Sequence, residues 1–151
     1  MRDEVKEAYQ RLGDERLLER IVAAELAIAG KVLKTEPAPE EILRRMPITE
    51  HNPEWKGAEI EVAVVLKGRH EGKRVNIFFP STTDAAWHDS PKFKAGDEGI
   101  WILQRNQQER GWTRMRIQGL TALHPLDFQP LERRAHLEEL IERISGKKQK
   151  R

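Results

Sequence analysis

Residues 101–118, WILQRNQQERGWTRMRIQ, hold the side chains best suited to grip another molecule. Trp101 and Trp112 stand among Arg105, Arg110, Arg114 and Arg116, with Glu109 as the one acid. Guanidinium groups pair with carboxylate or phosphate oxygens through a planar fork, and indole rings offer a broad face to a base or an apolar side chain. On a strand, neighbouring side chains point to opposite faces. In WTRMRIQG the set Thr113, Met115 and Ile117 suits a core, which leaves Trp112, Arg114 and Arg116 facing outward. Tryptophan and arginine are favoured anchors of protein interfaces. Trp112, Arg114, Arg116 and Arg105 are therefore the candidate partner-binding set. The same letters also serve a barrel wall in which Arg stacks on indole.

The second polar concentration is STTDAAWHDS, with Ser81, Asp84, Trp87, His88 and Asp89. A nucleophile, a base and an orienting acid can be drawn from it, but the glycine-framed elbow that exposes a serine nucleophile is missing. Trp87, His88 and Asp89 are kept as loop contact candidates, and no catalytic residue is expected. The five histidines, His51, His70, His88, His124 and His136, fall in separate segments without metal-ligand spacing. Asp97 and Glu98 in AGDEG lack the alternating pattern of a calcium loop. KGRHEGK has two glycines but no phosphate-loop signature. With no cysteine in the chain, disulfides, thiolate nucleophiles and Cys-held metals are excluded. No metal and no cofactor is expected.

Charge weighs against nucleic acid as the partner. The sequence pI is near 9.0, yet the excess is terminal. Removing Lys147, Lys148, Lys150 and Arg151 from the 27 basic residues leaves 23 against 25 acidic ones, a formal charge of −2. A binding barrel of the oligonucleotide type carries aromatics and a basic groove on its second and third strands. Here those strands turn Glu59, Glu61, Ala63 and Asn76 outward, with Arg74 the one basic group and Phe78 the one ring. No run approaches the roughly 18 apolar residues of a membrane helix. MRDEVKEAYQ has no apolar core of a secretory signal, so an exported origin would need a leader removed ahead of Met1. A protein partner is expected; its identity and the oligomeric state are not written in the chain.

The elements that must position these residues follow from periodicity. Asp14, after Gly13, suits the cap of a helix in which Leu17, Leu18, Ile21 and Val22 form one stripe, with a weaker turn or two over residues 2–12. LAIAGKVLKTEP reads as a first strand with Gly30 at a bulge or bend. Residues 37–54 hold four prolines and one short helical turn around Ile42, a surface excursion long enough to be functional. KGAEIEVAVVLKG and KRVNIFFP are the second and third strands, IWILQR the fourth and WTRMRIQG the fifth. LTALHPLDFQP is extended, and a last helix opens at Pro130, carries Leu137, Leu140, Ile141 and Ile144 on one face, and stops at Gly146.

In order and spacing, AELAIAGKVLKTE, IEVAVVLKGRHEGKRVNIFFPST, FKAGDEGIWIL and WTRMRIQGLTALHPLDF resemble the netrin-like module, the OB-type barrel of tissue inhibitors of metalloproteinases. The resemblance is greater to the bacterial cysteine-free domains of that type, and it spans roughly residues 17–130. It implies an OB barrel with flanking helices. It does not carry inhibition, which in that family uses an N-terminal cysteine to chelate the protease zinc; Met1 stands here, with no cysteine anywhere. The expected protein is mainly β: a five-stranded OB-like, netrin-type barrel with N-terminal and C-terminal helices. One domain covers residues 1–146, and 147–151 form a basic disordered tail. The expected function is a non-enzymatic interaction domain, with single-stranded nucleic-acid binding through the 101–118 hairpin and the tail as the alternative.

Overall fold

A computed structural model describes residues 3–45, 54–83, 87–105 and 119–149. The chain is mainly β. Its strands are β1 (Leu26–Pro37), β2 (Trp55–Lys67), β3 (Arg74–Pro80), β4 (Glu98–Arg105), β5 (Leu120–Thr121) and β6 (Phe128–Gln129). Three helices accompany them: α1 (Asp3–Ala23), α2 (Glu40–Arg45) and α3 (Arg134–Gln149). Short 3-10 turns at Pro125–Asp127 and Leu131–Arg133 lead from β5 into α3.

β1 is the hinge of the architecture. It pairs antiparallel with β2 from Ala27↔Lys67 to Pro37↔Lys56, and its first half also pairs with β4, Leu26↔Leu103 through Lys31↔Glu98. β3 meets β5 in parallel at Phe78↔Thr121, and β5 returns to β4, so the order β1-β2-β3-β5-β4 closes back on β1 as a five-stranded barrel. β6 pairs with β4 at Ile100 and Trp101, on the edge opposite β1 that β5 also uses. A strand that serves two neighbours this way must curl, and the register of β1 slips at three places, one of them Ala29/Gly30. At Gly30 a Cβ would sit 2.3 Å from the Glu61 carbonyl oxygen, so only glycine permits the approach.

Alternation sorts the side chains into an inner and an outer layer. Ile28, Val32, Ile60, Ile77, Phe79, Trp101 and Leu103 fill the barrel. Ala29, Ile100 and Ile102 point outward and are covered by Leu17 and Ile21 of α1 and Leu137 and Leu140 of α3. β4 is thus buried on both faces, and Trp101 is a core residue, fully enclosed and stacked obliquely on Phe128 at 4.9 Å between centroids. Gly99 leaves the space for that ring, since a Cβ there would lie 2.5 Å from Phe128.

Both long helices depart from their expected limits. α1 is one helix from Asp3, and it passes straight through Gly13. Asp14 does not cap its start: its carboxylate accepts a 2.8 Å hydrogen bond from His136 Nε2 of α3. α3 starts at Arg134, after the 3-10 turn whose cap is Pro130, and runs on through Gly146 to Gln149. A glycine in a helix costs about 1 kcal/mol against alanine, too little to end a helix that other contacts hold. Two ionic contacts hold α1. Arg20 forms a two-pronged pair with the fully buried Asp127, at 2.8 and 2.6 Å. Lys67 Nζ donates to the carbonyls of Ile21 and Ala24 at 2.7 and 2.6 Å, placing a cation on the negative end of the helix.

Candidate interaction face

Outward residues of β2 and β3 pair across the sheet as Trp55↔Pro80, Gly57↔Phe78, Glu59↔Asn76 and Glu61↔Arg74. One end of this face is a charge ladder. Arg74 Nη1 reaches Glu59 at 2.7 Å, Lys34 Nζ reaches the other oxygen of Glu59 at 3.7 Å, and Lys31, opposite Glu61, lies 4.0 Å from Glu98. Such cross-strand pairs neutralise one another, so among the described residues this end of the face has no continuous cationic track for phosphates.

The other end is apolar. Trp55 and Phe78 stand side by side, with Gly57 keeping the sheet low beneath Phe78. Gly119, at φ +83°, brings its backbone against the opposite side of the same ring; a Cβ would be 2.8 Å from it. Two loops converge on this pair. From residues 38–45 come Ala38, whose amide donates to the Trp55 carbonyl, and Ile42. From the turn at residues 87–90 comes Trp87, edge-on to Trp55 at 5.6 Å and 64°. Lys92 Nζ fixes that turn by donating to the carbonyls of Trp87 and Ser90, and burial lowers its pKa from the usual lysine value. The Trp55 indole N–H is enclosed without an acceptor among the described residues. A buried unpaired donor is costly, so this end of the face carries unspent hydrogen-bonding capacity.

The sequence candidates fall into three groups. Trp87 is enclosed and supports the loop from within, whereas His88 and Asp89 beside it are exposed and 3.3 Å apart. Ser81 Oγ donates to the Glu54 carbonyl at 2.7 Å, so its hydroxyl is committed to the backbone. Arg105 lies at the end of β4 and binds Glu25 at 2.8 Å. Trp112, Arg114 and Arg116, with the fifth predicted strand as far as Gln118, lie outside the described residues. Asp97 accepts from the Lys94 amide, and among the described residues no three His, Asp or Glu side chains gather as cation ligands.

Sequence reasoning passed over Trp55, which it left outside the second strand. The i, i+2 spacing of Trp55, Gly57, Glu59 and Glu61 was the available sign that it shares their outward face. The convergence of Ile42 and Trp87 had no local sign, because 45 positions of chain separate them. No protein-family model and no curated protein matches this chain.

Proposed function

We propose that the chain is a non-enzymatic interaction domain of OB type that receives a protein segment on the apolar end of the β2–β3 face. Strand order and closure support the OB assignment, and the netrin-type resemblance remains part of the same proposal. In OB barrels this strand face and the loop joining the first two strands are the usual ligand surface. The observation that carries the reading is the meeting of the two long loops, through Ile42 and Trp87, on Trp55 and Phe78. With Trp55 and Trp87 enclosed as support, the surface on offer is half-buried Phe78 and Ile42 with exposed Leu43, which suits an apolar peptide side chain better than a phosphodiester. The charge ladder on the rest of the face argues the same way.

A photoreactive benzoylphenylalanine in place of Leu43 tests this directly. The expected result is a covalent adduct with one protein in lysate, absent when the same group replaces Glu142 on α3 and reduced when Phe78→Ala is added. Adducts with RNA or DNA instead, together with oligonucleotide binding that weakens steeply with salt, would move the function to nucleic acid.

A further inference from the structure

On the far side of the barrel, an open groove of about 610 Å3 separates α1 from the segment that leads into α3. Gln10, Gly13, Asp14 and Leu17 form one wall; Leu126, Arg133 and His136 form the other. The volume lies within the roughly 300–1,000 Å3 of small-molecule sites. Three features give the groove a chemical direction.

The first is cationic. The Arg133 guanidinium sits on the groove wall with no hydrogen-bond or ion-pair partner among the described residues, while its neighbour Arg134 is spent on Glu138 at 2.7 Å. His136 stands on the same wall. Its Nε2 donates to Asp14, which orients the ring and occupies the Asp14 carboxylate, leaving Arg133 as the cation of the groove. The second is apolar: Leu17 is buried and Leu126 half-buried at the bottom, a lining that suits a hydrocarbon chain. The third is Gly13. The fold makes no use of it: it is helical, and a Cβ there would meet nothing within 4 Å. Alanine at this place would be the better helix former. What glycine provides is an unfilled wall beside Asp14 and Leu17.

We propose that this groove binds a carboxylate carrying an apolar tail. Arg133 takes the carboxylate through its fork, as guanidinium groups do. Gln10 supplies a second polar contact through its side-chain amide, and the tail lies along Gly13 against Leu17 and Leu126. Two sources share this chemistry: a free alkyl carboxylic acid and the C-terminal carboxylate of an apolar peptide.

The test uses the full chain with octanoate, octanol, and a short peptide ending in leucine, free or amidated, followed by amide chemical shifts and calorimetry. Octanoate is expected to shift the amides around Gly13 and Arg133, and octanol to bind at least about tenfold more weakly. Arg133→Gln, an exposed substitution, is expected to weaken octanoate about tenfold or more with an unchanged melting temperature. Gly13→Ala is expected to raise the melting temperature while weakening octanoate, a split that a purely structural glycine would not produce. Tighter binding of the free-acid peptide than of octanoate assigns the ligand to a peptide terminus, and the reverse order assigns it to a free acid. Equal binding of octanoate and octanol, unchanged affinity in Arg133→Gln, or no shifts at millimolar octanoate would overturn the proposal.

Discussion

His124 shows how much one side chain holds in place at the junction of α1 with the β5–β6 connection. Its Nδ1 accepts the Leu126 amide at 3.0 Å, which requires a bare nitrogen, and its own amide donates to Asp127. Burial, then the Arg20 guanidinium, lower its pKa from the ordinary histidine value, while Asp127 pulls the other way. The fold therefore prefers the neutral ring, and the unfolded chain takes up the proton first. Stability from this residue is present above the ordinary histidine pKa of about 6.5 and is lost as pH falls below it towards the lowered value. His124→Asn keeps an acceptor at the cap but cannot titrate. The urea midpoint of the parent is expected to fall more than that of the variant between about pH 7 and pH 5; parallel profiles would count against the role of the ring. The effect is modest because the imidazole is partly exposed.

At the level of elements, glycine positions separate a requirement from a tolerance. Gly30→Ala would drive a methyl group into the Glu61 carbonyl at 2.3 Å, in backbone that cannot step aside without parting β1 from β2. A loss of about 3 kcal/mol or more by urea denaturation is expected. Gly57→Ala, whose nearest neighbour is 3.6 Å away, serves as the mild comparison. Gly30 was legible in the sequence because it interrupts an apolar strand where a bend is needed. The second and third strands were legible by alternation, through Ile60, Val62, Val64 and Leu66 and through Val75, Ile77 and Phe79. Gly13–Asp14 misled, since it has the letters of a helix start. What decides its fate is His136, 122 positions away, and no local rule reaches that far. The fourth strand could be placed but not oriented, because a segment buried on both faces gives alternation nothing to report.

For the molecule as a whole, the apolar clusters divide the labour. One fills the barrel, one joins α1 and α3 to β1 and β4, and one lies under the two loops. Within α1 the division is sharp: Leu17 and Ile21 are buried, whereas Val5 and Leu12 are exposed. Removing residues 1–12 is therefore expected to leave a cooperative unfolding transition, with the midpoint lowered slightly by loss of helix length. Removing residues 1–23 strips Ile100 and Ile102 of their cover and deletes Arg20 from the buried Asp127, a charge that is very costly to leave unpaired. That chain is expected to bind a hydrophobic dye and to lose the transition. Cooperative melting of the longer deletion would show that α1 is an accessory to the barrel.

Closure of the ring through β1 and β4 has a consequence for how such a protein meets others. An open sheet offers a row of unpaired amides and carbonyls, onto which a stranger's strand can zip, productively or as the start of aggregation. Among the described residues β4 is served on both edges, by β1 on one and by β5 and β6 on the other. β6, on the β5 edge of β4, is two residues long and is followed by Pro130, which has no amide hydrogen to give. Strand addition onto β4 is therefore closed, and a partner meeting that part of the wall must be read by side chains.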